Sequence, residues 1–436
     1  MPREIPDLTS PPRPAATGER CYEIHLLTPL FGGGVVTREN DPSFPIRPTS
    51  VRGQLQFWWR ATVGAGCATI ADLREAQSRV WGDTKHASRV RVRVEVLTSQ
   101  APAPCAGYER DLKDKQRYHS MPTWKPPFRY TALPYALFPF QGQLGQGRSQ
   151  IEVPPASCIQ KASFRLIIVC DPPIDFDKEV KPALEAWLLL GGLGSRTRRG
   201  CGALRCPEFM AKDRDQLITR LRGYLSDRVH EWPTLAASIL VGRELKQAIK
   251  AWSEAIRVLR DFRQGVSVGR NPGDMPNRPG RSRWPEPETI RRVTGKRSNR
   301  HARLTHIPDN AFPRAEIGLP IVFHFKDHGE PDDTVLYPDK GLRGERRERM
   351  ASPLILRPVA LANDRVVPVI VLLNTPRLTG VDLRCGDKSL SLPASTVIED
   401  PLLASYKNSP MHKRSARGSA LEAFLAFARG KGFTSV

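Results

Sequence analysis

The sequence is short of acid. Against 67 lysines and arginines stand only 45 aspartates and glutamates, a formal net charge of +22 over 436 residues. Such an excess opposes compaction and favours polyanionic partners, nucleic acid first and an anionic membrane surface second. Long hydrophobic runs are also missing. Stretches such as 366–373 fall far below the ~20 residues that cross a bilayer, and no basic amphipathic membrane helix is evident, so a membrane role is not expected. Residues 1–20 are polar and proline-rich with no apolar signal core, which leads us to expect a flexible N-terminus and a soluble, cytoplasmic protein. The eight cysteines never form Cys-x-x-Cys. Cys201 and Cys206, the closest pair, lack the His or Cys partners of a zinc site, so reduced and partly buried thiols are expected.

Catalytic signals are equally sparse. The nine histidines are scattered. His324 and His328 have helical ligand spacing, but 321–325 alternates like a strand and 327–329 reads as a turn. There is no nucleophile elbow and no recognisable carboxylate cluster of a metal-dependent nuclease. No metal, no cofactor and no enzymatic activity are expected. His25 is the one candidate base for RNA cleavage.

What is present is a repeated strand–helix pattern. Residues 21–28 alternate as a strand, and a helix is expected over 51–62 with Thr49 and Ser50 as its cap. A second helix is expected over 68–80. Val90, Val92, Val94 and Val96 alternate with Arg91, Arg93 and Glu95 as a strand. Further strands fit 162–170 and 203–209, separated by a helix over 181–190. That β-α-β-β-α-β order is ferredoxin-like. Eight of the 32 aromatics fall within 99–160, either as an inserted subdomain with its own core or as a loop presenting rings to nucleic acid. Helical segments are expected over 211–224 and 236–263, then a basic loop, strands at 315–326, 354–360 and 366–374, and a last helix over 420–431. The fold class is α+β with two ferredoxin-like domains. Their predicted limits are 21–210 and 306–436, joined by a helical connector over 211–263 and a basic loop over 264–305.

Two constellations suit a phosphate backbone. The segment 191–202 places Gly192, Gly194, Ser195, Arg196, Thr197, Arg198 and Arg199 together, with four arginines and no acid between Arg196 and Arg205. Glycines admit close approach by phosphates, and arginines supply charge and forked donors. The segment follows a helix and lacks the order of a nucleotide-binding P-loop. On the first helix, Arg52, Gln56 and Arg60 recur at four-residue spacing, with Arg47 and Ser50 at its positive end, where an anion is favoured. Four windows, 47–60, 195–205, 263–303 and 340–349, supply +18 of the +22.

Three motifs carry a family resemblance. Thr28-Pro29-Leu30-Phe31-Gly32-Gly33-Gly34, residues 46–61 and Val80-Trp81-Gly82 resemble the first RAMP subunit of Cmr-type (type III-B) CRISPR effector complexes. The loop 191–202 resembles the glycine-rich RAMP signature, and 351–358 resembles a second motif of the same subunit. Gln56 departs from the arginine common in the family. The resemblance implies two ferredoxin-like RAMP domains in a non-catalytic subunit. It implies a place at the head of the complex near the guide 3′ end, where the subunit helps capture target RNA. The implied partners are guide CRISPR RNA, target RNA and other RAMP subunits. Two alternatives remain: a stand-alone RAMP endoribonuclease processing guide RNA, and a general basic RNA-binding scaffold.

Overall fold

The computed structural model describes residues 18–273, 280–301, 303, 308–339, 345–378, 380–390, 392 and 398–436. All but the last three residues of the expected flexible N-terminus lie outside them, as does part of the 340–349 window.

Strands β1 (Arg20–Leu26), β2 (Val90–Ser99), β3 (Ala162–Cys170) and β4 (Leu204–Arg205) form an antiparallel sheet in the order β4-β1-β3-β2. Helices α1 (Pro48–Ala61) and α2 (Ile70–Trp81) connect β1 to β2, and α3 (Lys181–Leu190) connects β3 to β4. This is the ferredoxin-like arrangement. Helix α1 begins earlier than the Thr49-Ser50 pair suggested. Arg47 is its N-cap and Pro48 opens the first turn, where a missing N–H costs nothing, while Ser50 lies exposed and caps nothing.

The same order recurs in the second half. Strands β5 (Thr234–Val241), β6 (Leu354–Ala360), β7 (Val366–Asn374) and β8 (Thr434–Ser435) pair as β6-β7-β5-β8, with α4 (Ala248–Gln264) after β5 and α5 (Ala420–Arg429) before β8. The helix expected over 236–263 is therefore a strand followed by a helix. The 211–263 segment contributes the first strand and helix of the second sheet. The reading failed because Ile239, Leu240 and Val241 are all buried, so the alternation of a half-exposed strand is absent.

The two sheets share a core. One cluster joins α1, α2 and α3 to the first sheet, through Ile24, Phe164 and Leu166, and to the second, through Ile239, Val241, Ile355, Val367 and Val369. The opposite face of the second sheet, with Leu240, Leu356 and Ile370, packs on α4 and α5 through Trp252, Ile256, Leu259 and Phe424. The layers run sheet, helices, sheet, helices. Helix α3 lies between the sheets, which is why Ala183, Leu184 and residues 186–190 are buried all round its circumference.

Arg357 on β6 fastens the halves. It is fully buried and donates to the carbonyls of Leu188 at 3.1 Å, Leu204 at 3.3 Å, Pro358 at 3.2 Å, and Gly191. Leu188 and Gly191 belong to the C-terminal end of α3, where the helix dipole favours a cation. Burial pushes its guanidinium down to about 9.

A third, smaller antiparallel sheet pairs Ile321–Phe323, Thr334–Pro338, Val381–Cys385 and Lys388–Leu390. It departs from the long strand expected over 315–326, because residues 313–317 form a 3-10 turn instead. Nor is 264–305 loop throughout, since Glu286–Thr294 is helical.

Candidate nucleic-acid interface

The glycine-rich segment is folded by its neighbours on both sides. Leu193 N donates to Gly202 O at 2.9 Å, Ser195 N to Phe31 O at 2.8 Å, and Gly202 N to Pro29 O at 2.8 Å. Thr28 Oγ1 donates to Gly200 O and receives Ala203 N. The two glycine runs of the chain therefore lean on each other. At Gly194 (φ +77°) a Cβ would lie 2.4 Å from Phe31 O, and at Gly32 (φ +71°) it would lie 2.6 Å from Ser195 Oγ. Both positions need left-handed backbone and close approach, which a side chain would block. Gly192 is buried, whereas Gly194 and Ser195 are exposed at the tip.

The loop arginines divide by role. Arg199 donates to Leu354 O at 2.8 Å, and its own carbonyl accepts from Trp252 Nε1 at 2.5 Å. Arg198 donates to Ser352 O and stands 5.7 Å over the Phe57 ring. Both therefore tie the loop to the second half. Burial, then the nearby charges of Arg196 and Arg263, push the Arg199 guanidinium down to about 9. Arg196 differs: it takes left-handed backbone (φ +57°), uncommon for a side-chain-bearing residue. Its Nε is shielded from solvent without a hydrogen-bond partner among the described residues. Thr197 opens the short 3-10 turn that carries Arg198 and Arg199.

The first-helix arginines do not form a free stripe. Arg52 donates to Ser88 Oγ at 3.0 Å, Val90 O at 3.3 Å, and Trp81 O. It closes the C-terminal end of α2. Arg60 donates to Gln77 Oε1 at 3.2 Å, and burial lowers its pKa. Arg47 is held by Asp41 at 2.9 Å. Gln56 is half-buried and Ser50 exposed. Helical spacing places these residues correctly, but it cannot show that α2 packs across them.

In the basic 263–303 window many of the arginines have partners within the chain. Glu286, Glu288 and Glu330 are buried, and arginines surround them. Arg291 pairs with Glu330 at 2.7 Å, Arg314 with Glu286 at 3.2 Å, and Arg297 and Arg281 with Glu288 at 2.5 and 3.6 Å. Arg283 donates to Asn408 O at 2.8 Å. Most of this charge holds the insertion together, and Arg278 lies outside the described residues. Among the aromatics of 99–160, Trp124, Phe128 and Phe140 join a core with Phe31 and Trp252. Tyr130 and Phe138 are exposed, with the Arg129 guanidinium 4.8 Å from the Tyr130 ring. The segment thus differs from a subdomain with its own core, because its buried rings complete a core shared with the second sheet's helices.

All eight cysteines are free, and burial raises the thiols of Cys105, Cys158 and Cys201 to about 11, 12 and 12. No group of three potential metal ligands occurs among the described residues, and no helix there is long and apolar enough to cross a membrane. His324 faces Asp333 at 2.7 Å.

The glycine-rich loop closes a domain whose boundaries coincide with a known family. Residues 23–205 match the RAMP superfamily. The match covers the first sheet with its helices and the glycine-rich loop, less than half of the chain. The chain is also similar to two proteins of Pyrococcus furiosus. It is 26% identical over 193 residues to CRISPR system Cmr subunit Cmr1-2, covering 43% of this chain and 94% of that protein. It is 29% identical over 189 residues to Cmr subunit Cmr1-1, covering 42% of this chain and about half, 46%, of that protein. Among solved structures, Cmr1 from Pyrococcus furiosus in its apo form has a TM-score of 0.45 and 19% identity, covering 83% of this chain and 88% of that one. A chain of the type III-B Cmr-beta complex bound to cognate target RNA has a TM-score of 0.43 and 12% identity, covering 81% and 94%.

Sequence reasoning gave no role to Arg357. Arg357 lay inside the 351–358 motif, but nothing local marks it as buried.

Proposed function

We propose that the chain is a non-catalytic, RNA-binding subunit of a type III-B CRISPR (Cmr) effector complex. It sits at the head of the complex near the guide 3′ end and helps capture target RNA. The observation that carries this reading is the match of residues 23–205 to the RAMP superfamily, together with the similarity of the chain to two curated Cmr subunits. The net charge of +22 and the arginines gathered around the glycine-rich loop support a polyanionic partner. Base pairing between guide and target reads sequence, while the protein holds backbone and shape. The exposed Tyr130 and Phe138 are suited to stack on bases or against a duplex end.

Co-expression of the tagged chain with the remaining Cmr subunits and a CRISPR array tests the assignment. Guide-length RNA and other RAMP subunits are expected to co-purify, and their absence overturns it. Labelled repeat RNA tests the non-catalytic part. His25 lies on the outer face of the first sheet, 3.3 Å from Glu23. Reproducible cleavage that disappears in His25→Ala would make the chain a nuclease.

A further inference from the structure

Residues 406–417 form a second basic segment without acid, carrying Lys407, Lys413, Arg414 and Arg417. Successive turns wind it tightly. Ser409 N donates to Tyr406 O at 2.8 Å, His412 N to Ser409 O at 3.0 Å, and Arg414 N to Met411 O at 2.9 Å. Neutral residues anchor the coil. Met411 is fully buried and its N donates to Ser409 Oγ at 3.1 Å, while Ser419 N donates to Ser415 Oγ at 3.0 Å and His412 Nδ1 to Ala404 O at 2.9 Å. The lysines take no part. Lys407 and Lys413 are exposed, and neither ammonium has a partner among the described residues. Lys413 adopts left-handed backbone (φ +57°), uncommon for a residue with a side chain and of the kind found at binding sites.

The fold brings further cations to the coil. Arg283 Nε donates to Asn408 O at 2.8 Å and its Nη2 to Asn408 Oδ1 at 3.2 Å, next in the chain to Lys407. The Arg414 guanidinium and the Lys431 ammonium stand 5.5 and 5.3 Å from the centre of the Phe427 ring on α5. Burial, then the field of Arg283, lowers the Arg414 pKa. The acids of 398–436 are engaged elsewhere. Glu422 accepts from Ser415 Oγ and faces Arg417 at 4.0 Å, Glu399 faces Arg377 at 3.5 Å, and Asp400 accepts from Leu402 N at 2.7 Å. Helix α4 separates this cluster from the glycine-rich loop. Its Trp252 donates to Arg199 O of the loop, whereas its Phe262, about 15 Å further along the axis, packs on Phe427 with 5.6 Å between ring centres.

We propose that Lys407, Lys413, Arg414 and Lys431, with Arg283, form a second phosphate-binding surface, which holds the backbone of single-stranded RNA independently of the glycine-rich loop. Exposed cations on an anchored coil displace counterions from phosphates without reading bases. Naming RNA rests on the proposed function; the unpaired basic surface does not.

The test compares the full chain with the triple variant Lys407→Gln, Lys413→Gln, Lys431→Gln. A second triple variant, Arg74→Gln, Lys85→Gln, Lys161→Gln, removes the same charge from exposed positions of the first domain. Affinity for a single-stranded RNA oligomer is measured by fluorescence anisotropy across salt concentrations. The slope of log affinity against log salt should shrink by about 2 in the first variant, at about 0.7 per contact, and stay unchanged in the second. Affinity should fall at least roughly tenfold in the first, with the unfolding midpoint unmoved. Combined with Arg196→Gln, the fold-losses should multiply, as for separate contacts. Equal slopes in parent and first variant overturn the surface. So does an equal loss in the second variant, which would reduce the effect to net charge, or a lowered midpoint with unchanged RNA affinity. Displacement of RNA by poly-glutamate at equal charge would make the surface a docking site for acidic protein and overturn the proposal. A parent chain that binds no RNA refutes the RNA-binding function itself, a result distinct from an RNA-binding parent matched by its variant.

Discussion

The glycine-rich loop and the segment 281–314 are both dense in arginine, yet they use it oppositely. Around 281–314 the arginines close on buried carboxylates, with Glu288 facing Arg281, Arg292 and Arg297. In the loop there is no acid. Arg198 and Arg199 close on backbone carbonyls of the second half, and Arg196 is left with an unpartnered Nε. A window of positive charge is therefore not by itself a binding surface. What separates the two is whether the fold brings glutamates inward to meet the arginines.

The sharpest way to break this comparison is Glu288→Ala. It should cost about 3–5 kcal/mol, since it strands several guanidiniums at a buried site. Urea denaturation measures it, and an effect below 1 kcal/mol would show that the insertion does not depend on the network. Arg357→Ala should cost about 3 kcal/mol by leaving interdomain carbonyls unsatisfied. Limited proteolysis between the halves should accelerate in parallel, and an unchanged cleavage rate would remove Arg357 as the fastener.

Within the loop the contrast is finer. Arg196→Gln should lower single-stranded RNA affinity roughly tenfold, about 1.4 kcal/mol, with the unfolding midpoint unmoved. Arg199→Gln should lower the midpoint as well, because it loses Leu354 O. Loss of affinity confined to some RNA sequences would contradict backbone recognition.

The smallest effect is on pH. Glu316 accepts from Ser419 Oγ and from the amides of Ala420 and Leu421 at the start of α5, yet desolvation outweighs these bonds and raises its pKa from 4.5 to about 7. The folded state thus holds a proton that the unfolded state releases between those values. Stability from this group is complete below pH 4.5 and declines as pH rises through 7. Glu316→Gln should flatten that decline in urea midpoints measured from pH 4.5 to 7; an unchanged slope would assign it to other groups.

Much of the first domain was legible. The alternation from Val90 to Val94 marked a strand with one face toward solvent, and that is how this part of β2 lies in the sheet, whereas Val96, beside a shift in register, is exposed. The four-stranded order of the second sheet was not legible, because β5 runs between two helical layers and loses its polar face. Site residues followed the same division. The glycines of 191–202 were recognisable, since left-handed backbone and close approach require them locally. The roles of Arg52 and Arg60 were not, since they depend on how α2 packs across α1.

The sequence alone determined the sign and size of the charge, the two glycine runs, the amphipathic strands and the RAMP motifs, because each is written in neighbouring residues. Tertiary structure decided which arginines remain available. That choice depends on partners distant in the chain: Leu354 for Arg199, Glu330 for Arg291, and the carbonyls at the end of α3 for Arg357. A guanidinium's role is set by which acceptors the fold places around it, and only long-range packing specifies that.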